Sequence, residues 1–185
     1  MSWLDAALLV AAGLAGGLAG SIAGLASVAT YPALLLVGLP PVTANVTNTV
    51  ALVFNGIGSV WGSRPELTGQ RAWIRQIAPA AALGGAAGAA LLLLTPAEGF
   101  ENVVPILLGA SSLAILVPRR VDKHTWEVSD RRRRATVYIE TAAIFLISIY
   151  GGYFGAAAGV LLLAMFLRVG HETLAHANAG KNVTL

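Results

Sequence analysis

Apolar residues dominate long stretches of this chain, and short polar or proline-rich segments separate them. The first run extends from Leu4 to about Val28. A break is expected at Thr30–Pro32, followed by a short apolar piece, Ala33 to Leu39, and the pair Pro40 and Pro41. A second long run covers Val42 to Trp61, a third about Ile74 to Leu94, and a shorter fourth Asn102 to Val117. A fifth extends from Ala135 to Leu167. A helix needs about 20 mainly apolar residues to cross a bilayer. The fifth run exceeds one straight crossing, so a break or a strong tilt is expected within it.

Polar connections orient these runs. "GSRPELTGQR" is basic, "TPAEGFE" is acidic, and "PRRVDKHTWEVSDRRRR" is the longest polar segment and the natural half-way boundary. Positive loops stay on the cytoplasmic side, so both basic connections are expected there and the acidic turn outside. A single first crossing places the amino terminus in the cytoplasm. A re-entrant pair of half-helices over Gly16 to Leu39 places it outside, and the pattern permits both.

Composition agrees. Of 185 residues, 56% are hydrophobic and 11% charged, against roughly 25% charged in a soluble domain. The reading is an all-α, polytopic membrane helix bundle. Cysteine is absent, which excludes disulfides, thiolate metal sites and cysteine nucleophiles. The first run has an acidic flank, Asp5, and is too long for a cleaved secretory signal. Net charge is +3, and most of the twelve basic residues lie in the two basic connections. No aromatic-studded basic surface accompanies them, so nucleic acid is not an expected partner.

The chain repeats itself. With Gly16 set on Gly151, Gly17 meets Gly152, Gly20 meets Gly155 and Gly24 meets Gly159. After a two-residue deletion, "ANVTNTV" (Ala44 to Val50) lies over "ANAGKNV" (Ala177 to Val183). Such duplication marks secondary transporters, whose sites lie near the midplane on discontinuous helices. Three segments follow: a first transmembrane repeat over 1–117, a basic cytoplasmic loop over 118–134, and a partial second repeat over 135–185. The second copy stops early, and a truncated or partial reading of a longer protein is the expectation.

Candidate chemistry concentrates in the repeated blocks. Asn45, Asn48 or Thr49, then Asn55 or Gly56, then Ser59 recur at three- and four-residue steps, with Leu52 interrupting, which keeps them on one helix face. Lipid offers no hydrogen-bond partner, so they face protein, as interhelical contacts or as a substrate path. In the second block Asn178, Lys181 and Asn182 stand together. Lys181 either snorkels to the interface or attracts an anion. Gly20, Gly24, Gly155 and Gly159 lie on GxxxG-type faces suited to close packing, and unwound backbone there offers N–H groups to an anion. Glu140 reads as an interfacial acid more readily than as a proton relay. In "HETLAH" the two histidines are five positions apart and diverge on a helix, unlike the zinc motif. No metal site, cofactor or nucleophile–base pair emerges, so an enzyme is not expected.

"GGLAGSIAGLASVATYPALLLVGLPPVTANVTNTV" resembles the first signature of the TauE/SafE sulfite-exporter permeases. "GGYFGAAAGVLLLAMFLRVGHETLAHANAGKNV" is similar to the second. The resemblance implies a duplicated unit of four spans and export of small anions, including sulfite and organosulfonates, across the bacterial plasma membrane. The family's glycine cluster reads Ala23-Gly24-Leu25-Ala26-Ser27 here, which keeps small size but reduces flexibility. About three of the expected eight spans are missing. The expected function is a multi-pass secondary transporter for a small sulfur-containing or organic anion. The substrate site is expected at Asn45, Asn48, Thr49, Asn55, Asn178, Lys181 and Asn182. Proton coupling and a homo-oligomer are compatible with it. The alternative is a non-transporting membrane assembly protein, or a truncated permease without function.

Overall fold

A computed structural model describes residues 2–116, 130–169 and 173–185. The described residues form eight α-helices and no strand: α1 Trp3–Ala23, α2 Ala26–Leu36, α3 Pro41–Gly62, α4 Arg71–Leu94, α5 Ala97–Leu116, α6 Asp130–Tyr153, α7 Ala158–Val169 and α8 Leu174–Thr184. The chain folds as an all-α membrane helix bundle. Most of the expected central basic loop, and His171 of "HETLAH", lie outside the described residues; α6 begins at Asp130, within what was expected to be loop.

Local chemistry explains the helix ends. Ser2 and Asp5 form a capping box, with Asp5 N–H donating to Ser2 Oγ at 3.1 Å and Ser2 N–H to Asp5 Oδ2 at 2.6 Å. Pro41 opens α3 at a position where its missing N–H leaves no gap in the ladder. The first apolar run does not cross as one helix to Val28. It breaks at Gly24, which is left-handed at φ 75° and donates its N–H to Gly20 O. The break expected at Thr30–Pro32 is absent, and Pro32 sits inside α2. A glycine takes the left-handed cap at little cost, whereas a proline inside a membrane-type helix is tolerated when neighbours satisfy the freed groups.

The fifth run breaks as its length predicts. Between α6 and α7 the chain turns through Gly155 and Ala157, at φ 76° and 63°. The Tyr150 hydroxyl donates to Ala156 O and braces the turn.

Two apolar clusters sit between the helices. One joins Ile77 of α4, Ile144 of α6, Phe166 of α7 and Ala177 of α8. The other joins Leu92, Phe100, Phe154 and Ala156. Contacts of this kind hold a membrane bundle by close packing rather than by transfer from water. Glycine sets the tightest seam: a Cβ on Gly88 would stand 2.0 Å from Ile149 O, and one on Gly152 2.2 Å from Gly85 O. The backbones of α4 and α6 therefore touch. By length and composition α1 and α4 each suffice to cross a membrane. Helix α3 is as long but carries the asparagine stripe.

Candidate functional site

The two chain breaks meet. A Cβ on Gly24 would stand 2.5 Å from Gly159 Cα, and a Cβ on Gly159 would stand 2.5 Å from Gly24 Cα. These are the glycines that the internal repeat pairs. Gly16 and Gly20, two turns and one turn earlier, face α2 instead. Their virtual Cβ atoms would meet Thr30 Cγ2 at 2.6 Å and Ala26 Cβ at 2.7 Å. The glycine face thus packs α1 onto α2 and brings the end of α1 onto the start of α7.

Each break is held by an asparagine from the other half of the chain. Asn45 Nδ2 donates to Tyr153 O at the end of α6 (3.0 Å), and Asn178 Nδ2 donates to Ser21 O near the end of α1 (3.0 Å). The last carbonyls of a helix have no partner within it, so a side-chain donor there satisfies them. In both residues the amide oxygen is buried without a hydrogen-bond partner.

Lys181 joins Asn178 on the same helix end. Its Nζ donates to Gly20 O at 2.8 Å and to Ser21 O at 3.3 Å, and the residue is 0% exposed. It does not snorkel. A lysine at the centre of a membrane helix costs roughly 3 kcal/mol, and the negative end of α1 offsets part of that. Asn48 donates to Ser27 Oγ at 2.9 Å and accepts from the Thr30 hydroxyl, tying α3 to α2. Thr49 Oγ1 returns to its own helix at Asn45 O.

A cavity of about 300 Å³ opens beside the crossed breaks. Its wall contains Gly20, Gly24, Gly155 and Gly159 from the breaks, Thr49, Asn55 and Ser59 from α3, Ser148 from α6 and Asn182 from α8. Of the expected site residues, Thr49, Asn55 and Asn182 face this cavity together with the four glycines. Asn45, Asn48, Asn178 and Lys181 stand behind its wall as ties between helices. Asn182 Nδ2 donates to Ser63 Oγ at 3.0 Å, and the Ser21 hydroxyl joins Ser59 Oγ at 2.8 Å and Asn55 Oδ1 at 3.4 Å.

Ser148 was missed by sequence reasoning. It is buried, and its hydroxyl has no hydrogen-bond partner. The available signal was a hydroxyl inside the apolar "AAIFLISIYGG", three residues before Gly151. A second cavity shares Leu52, Val53, Gly56, Asn182 and Leu185 with the first and reaches Trp61 and Arg64. The Arg64 guanidinium lies 4.0 Å over the Trp61 ring. Glu140 is not an exposed interfacial acid. It is buried and accepts from Trp73 Nε1 at 2.9 Å, because α6 turns this position toward α4.

No curated protein and no solved structure matches the chain. The sulfite exporter TauE/SafE family model matches residues 9–185. Glycine-packed breaks, the asparagines that hold them and the cavity beside them all fall within that match, and the chain belongs to the sulfite exporter TauE/SafE family, a family of membrane transporters.

Proposed function

We propose that the protein is a secondary permease carrying a small anion, sulfite, an organosulfonate or another sulfur-containing or organic anion, across the bacterial plasma membrane. The supporting observation is the cavity where the two breaks cross. Its polar side chains are hydroxyls and amides, the Ser148 hydroxyl is unpartnered, and Lys181 lies behind Gly20. Substrate sites at the junction of discontinuous helices are the general arrangement of repeat-built transporters. Neutral donors orient an oxyanion without holding it too tightly to leave. The outward step is driven by an interior-negative potential, worth about 2.3 kcal/mol per charge per 100 mV, so a proton partner is an addition that export does not require.

The test is counterflow in liposomes with sulfite, thiosulfate and sulfonates. Saturable exchange of one of these, reduced by Asn55→Leu at unchanged folded yield, supports the reading. A second reading, an assembly protein, draws on the bonds of Asn45, Asn48 and Asn178, all of which tie helices together. Absence of exchange with every anion, from correctly folded protein, favours that one.

A further inference from the structure

We infer that the Lys181 ammonium is a tethered cation, held in a monovalent-cation site built from the last carbonyls of α1, so that the protein moves its anion without a free sodium ion. The cation site is independent of the transport reading above, and the sodium independence rests on it.

The left-handed turn at Gly24 makes the site. Gly24 N–H bonds to Gly20 O at 2.9 Å. In a continued helix the Leu25 N–H would bond to Ser21 O. Here it bonds to Ala19 O at 3.3 Å, which leaves Ser21 O to side chains. Lys181 Nζ spans Gly20 O at 2.8 Å and Ser21 O at 3.3 Å. Asn178 Nδ2 also donates to Ser21 O, at 3.0 Å, and its own amide oxygen is buried without a partner. A half-turn of that amide about its Cβ–Cγ bond exchanges nitrogen for oxygen. Two carbonyls at the negative pole of α1 and one amide oxygen are thus available to a cation at this helix end.

Helix C-terminal ends and unwound carbonyls are where repeat-built transporters coordinate a sodium ion or a proton. In this fold an ammonium from α8 fills that position. The residue is fully buried, and a buried charge persists only where oxygens replace its water. Gly20 also belongs to the cavity wall, so the ammonium is bonded to the back of that wall. The repeat gives the lysine to one copy: Asn48 lies over Lys181 when Ala44 is set on Ala177. Asn48 bonds to the side chains of Ser27 and Thr30, and at the second break Ala156 O accepts from the Tyr150 hydroxyl. A charge serves the first break and a neutral hydroxyl the second.

Removing the lysine side chain should turn the tethered site into a free one. Lys181→Ala, purified in sodium chloride, is expected to unfold about 2–4 °C higher in sodium or methylammonium chloride than in choline chloride of equal ionic strength. Choline is too large to sit between the carbonyls. The wild type, with its site filled, should show no such difference. Lys181→Gln keeps a neutral donor and carries the same comparison if the alanine variant does not fold. Equal midpoints in the three salts, a wild type that gains from sodium as the variants do, or failure of both variants to fold even in sodium overturns the cation site.

In liposomes, sulfite uptake by the wild type should keep its rate when choline replaces sodium on both sides. A several-fold fall without sodium overturns sodium independence and leaves anion transport standing. If sulfite, thiosulfate and sulfonates all fail to move in either salt, the transport reading falls and sodium independence with it, while the unfolding comparison still decides the cation site.

Discussion

Gly24 and Gly159 touch backbone to backbone, each lying where the other's side chain would be. The contact has two consequences of different size. Gly159→Ala is expected to destabilise the protein by about 1–3 kcal/mol through overpacking. Gly24→Ala adds the strain of a left-handed residue, another 1–2 kcal/mol or so. Gly58→Ala, at a helical position where a Cβ meets nothing within 4 Å, is the control and should be neutral or slightly stabilising. Thermal unfolding in detergent ranks the three.

The two asparagines that cross between the halves are not equivalent. Tyr153 O receives Asn45 alone among the side-chain donors described, whereas Ser21 O receives both Asn178 and Lys181. Asn45→Ala should therefore cost about 1–2 kcal/mol of stability, and Asn178→Ala less than half of that. The reverse order in unfolding midpoints contradicts the assignment.

Ser148→Ala separates site from scaffold. The hydroxyl makes no hydrogen bond inside the protein, so its removal should leave stability unchanged or raise it by up to about 1 kcal/mol. Anion uptake should nonetheless fall several-fold. Loss of stability without loss of uptake would place Ser148 in the scaffold.

Glu140 and Trp73 make one bond between α6 and α4. Glu140→Gln retains an acceptor for the indole N–H and should be nearly silent. Glu140→Leu removes that acceptor and should cost about 1–3 kcal/mol. Unfolding followed by tryptophan emission reads both.

Arg64 lies exposed at the second cavity, over Trp61. Arg64→Glu should slow uptake at low ionic strength and lose most of that effect at high salt, because an exposed charge acts on approach and is screened. An effect independent of salt would instead assign Arg64 a contact with the bound anion.

Much of this fold was legible in the sequence. Apolar run lengths located the long helices, and the excess length of Ala135–Leu167 announced the break found between Tyr153 and Ala158. The repeat pairs Gly24 with Gly159, the two glycines that touch in the fold. The first break was misplaced because Pro32 is a strong local signal while Gly24 is one glycine among several. Which of them breaks depends on what packs there, and the backbone of the second half packs at Gly24.

The candidate site was legible only in part. Residue type and spacing confined Asn45, Asn48, Thr49 and Asn55 to a protein-facing stripe, since lipid cannot satisfy them. Spacing along one helix carries no information on what stands opposite. Asn48 meets Ser27 and Thr30, Asn45 meets a carbonyl 108 residues away, and Asn55 and Thr49 meet the cavity. The sequence by itself determined the solvent, the helical class and the residues barred from lipid, because these follow from composition and period. Only the tertiary structure decided which of them bind helices together and which face open space. That depends on how the broken helices cross, and their crossing is set by the closest approach their glycines allow.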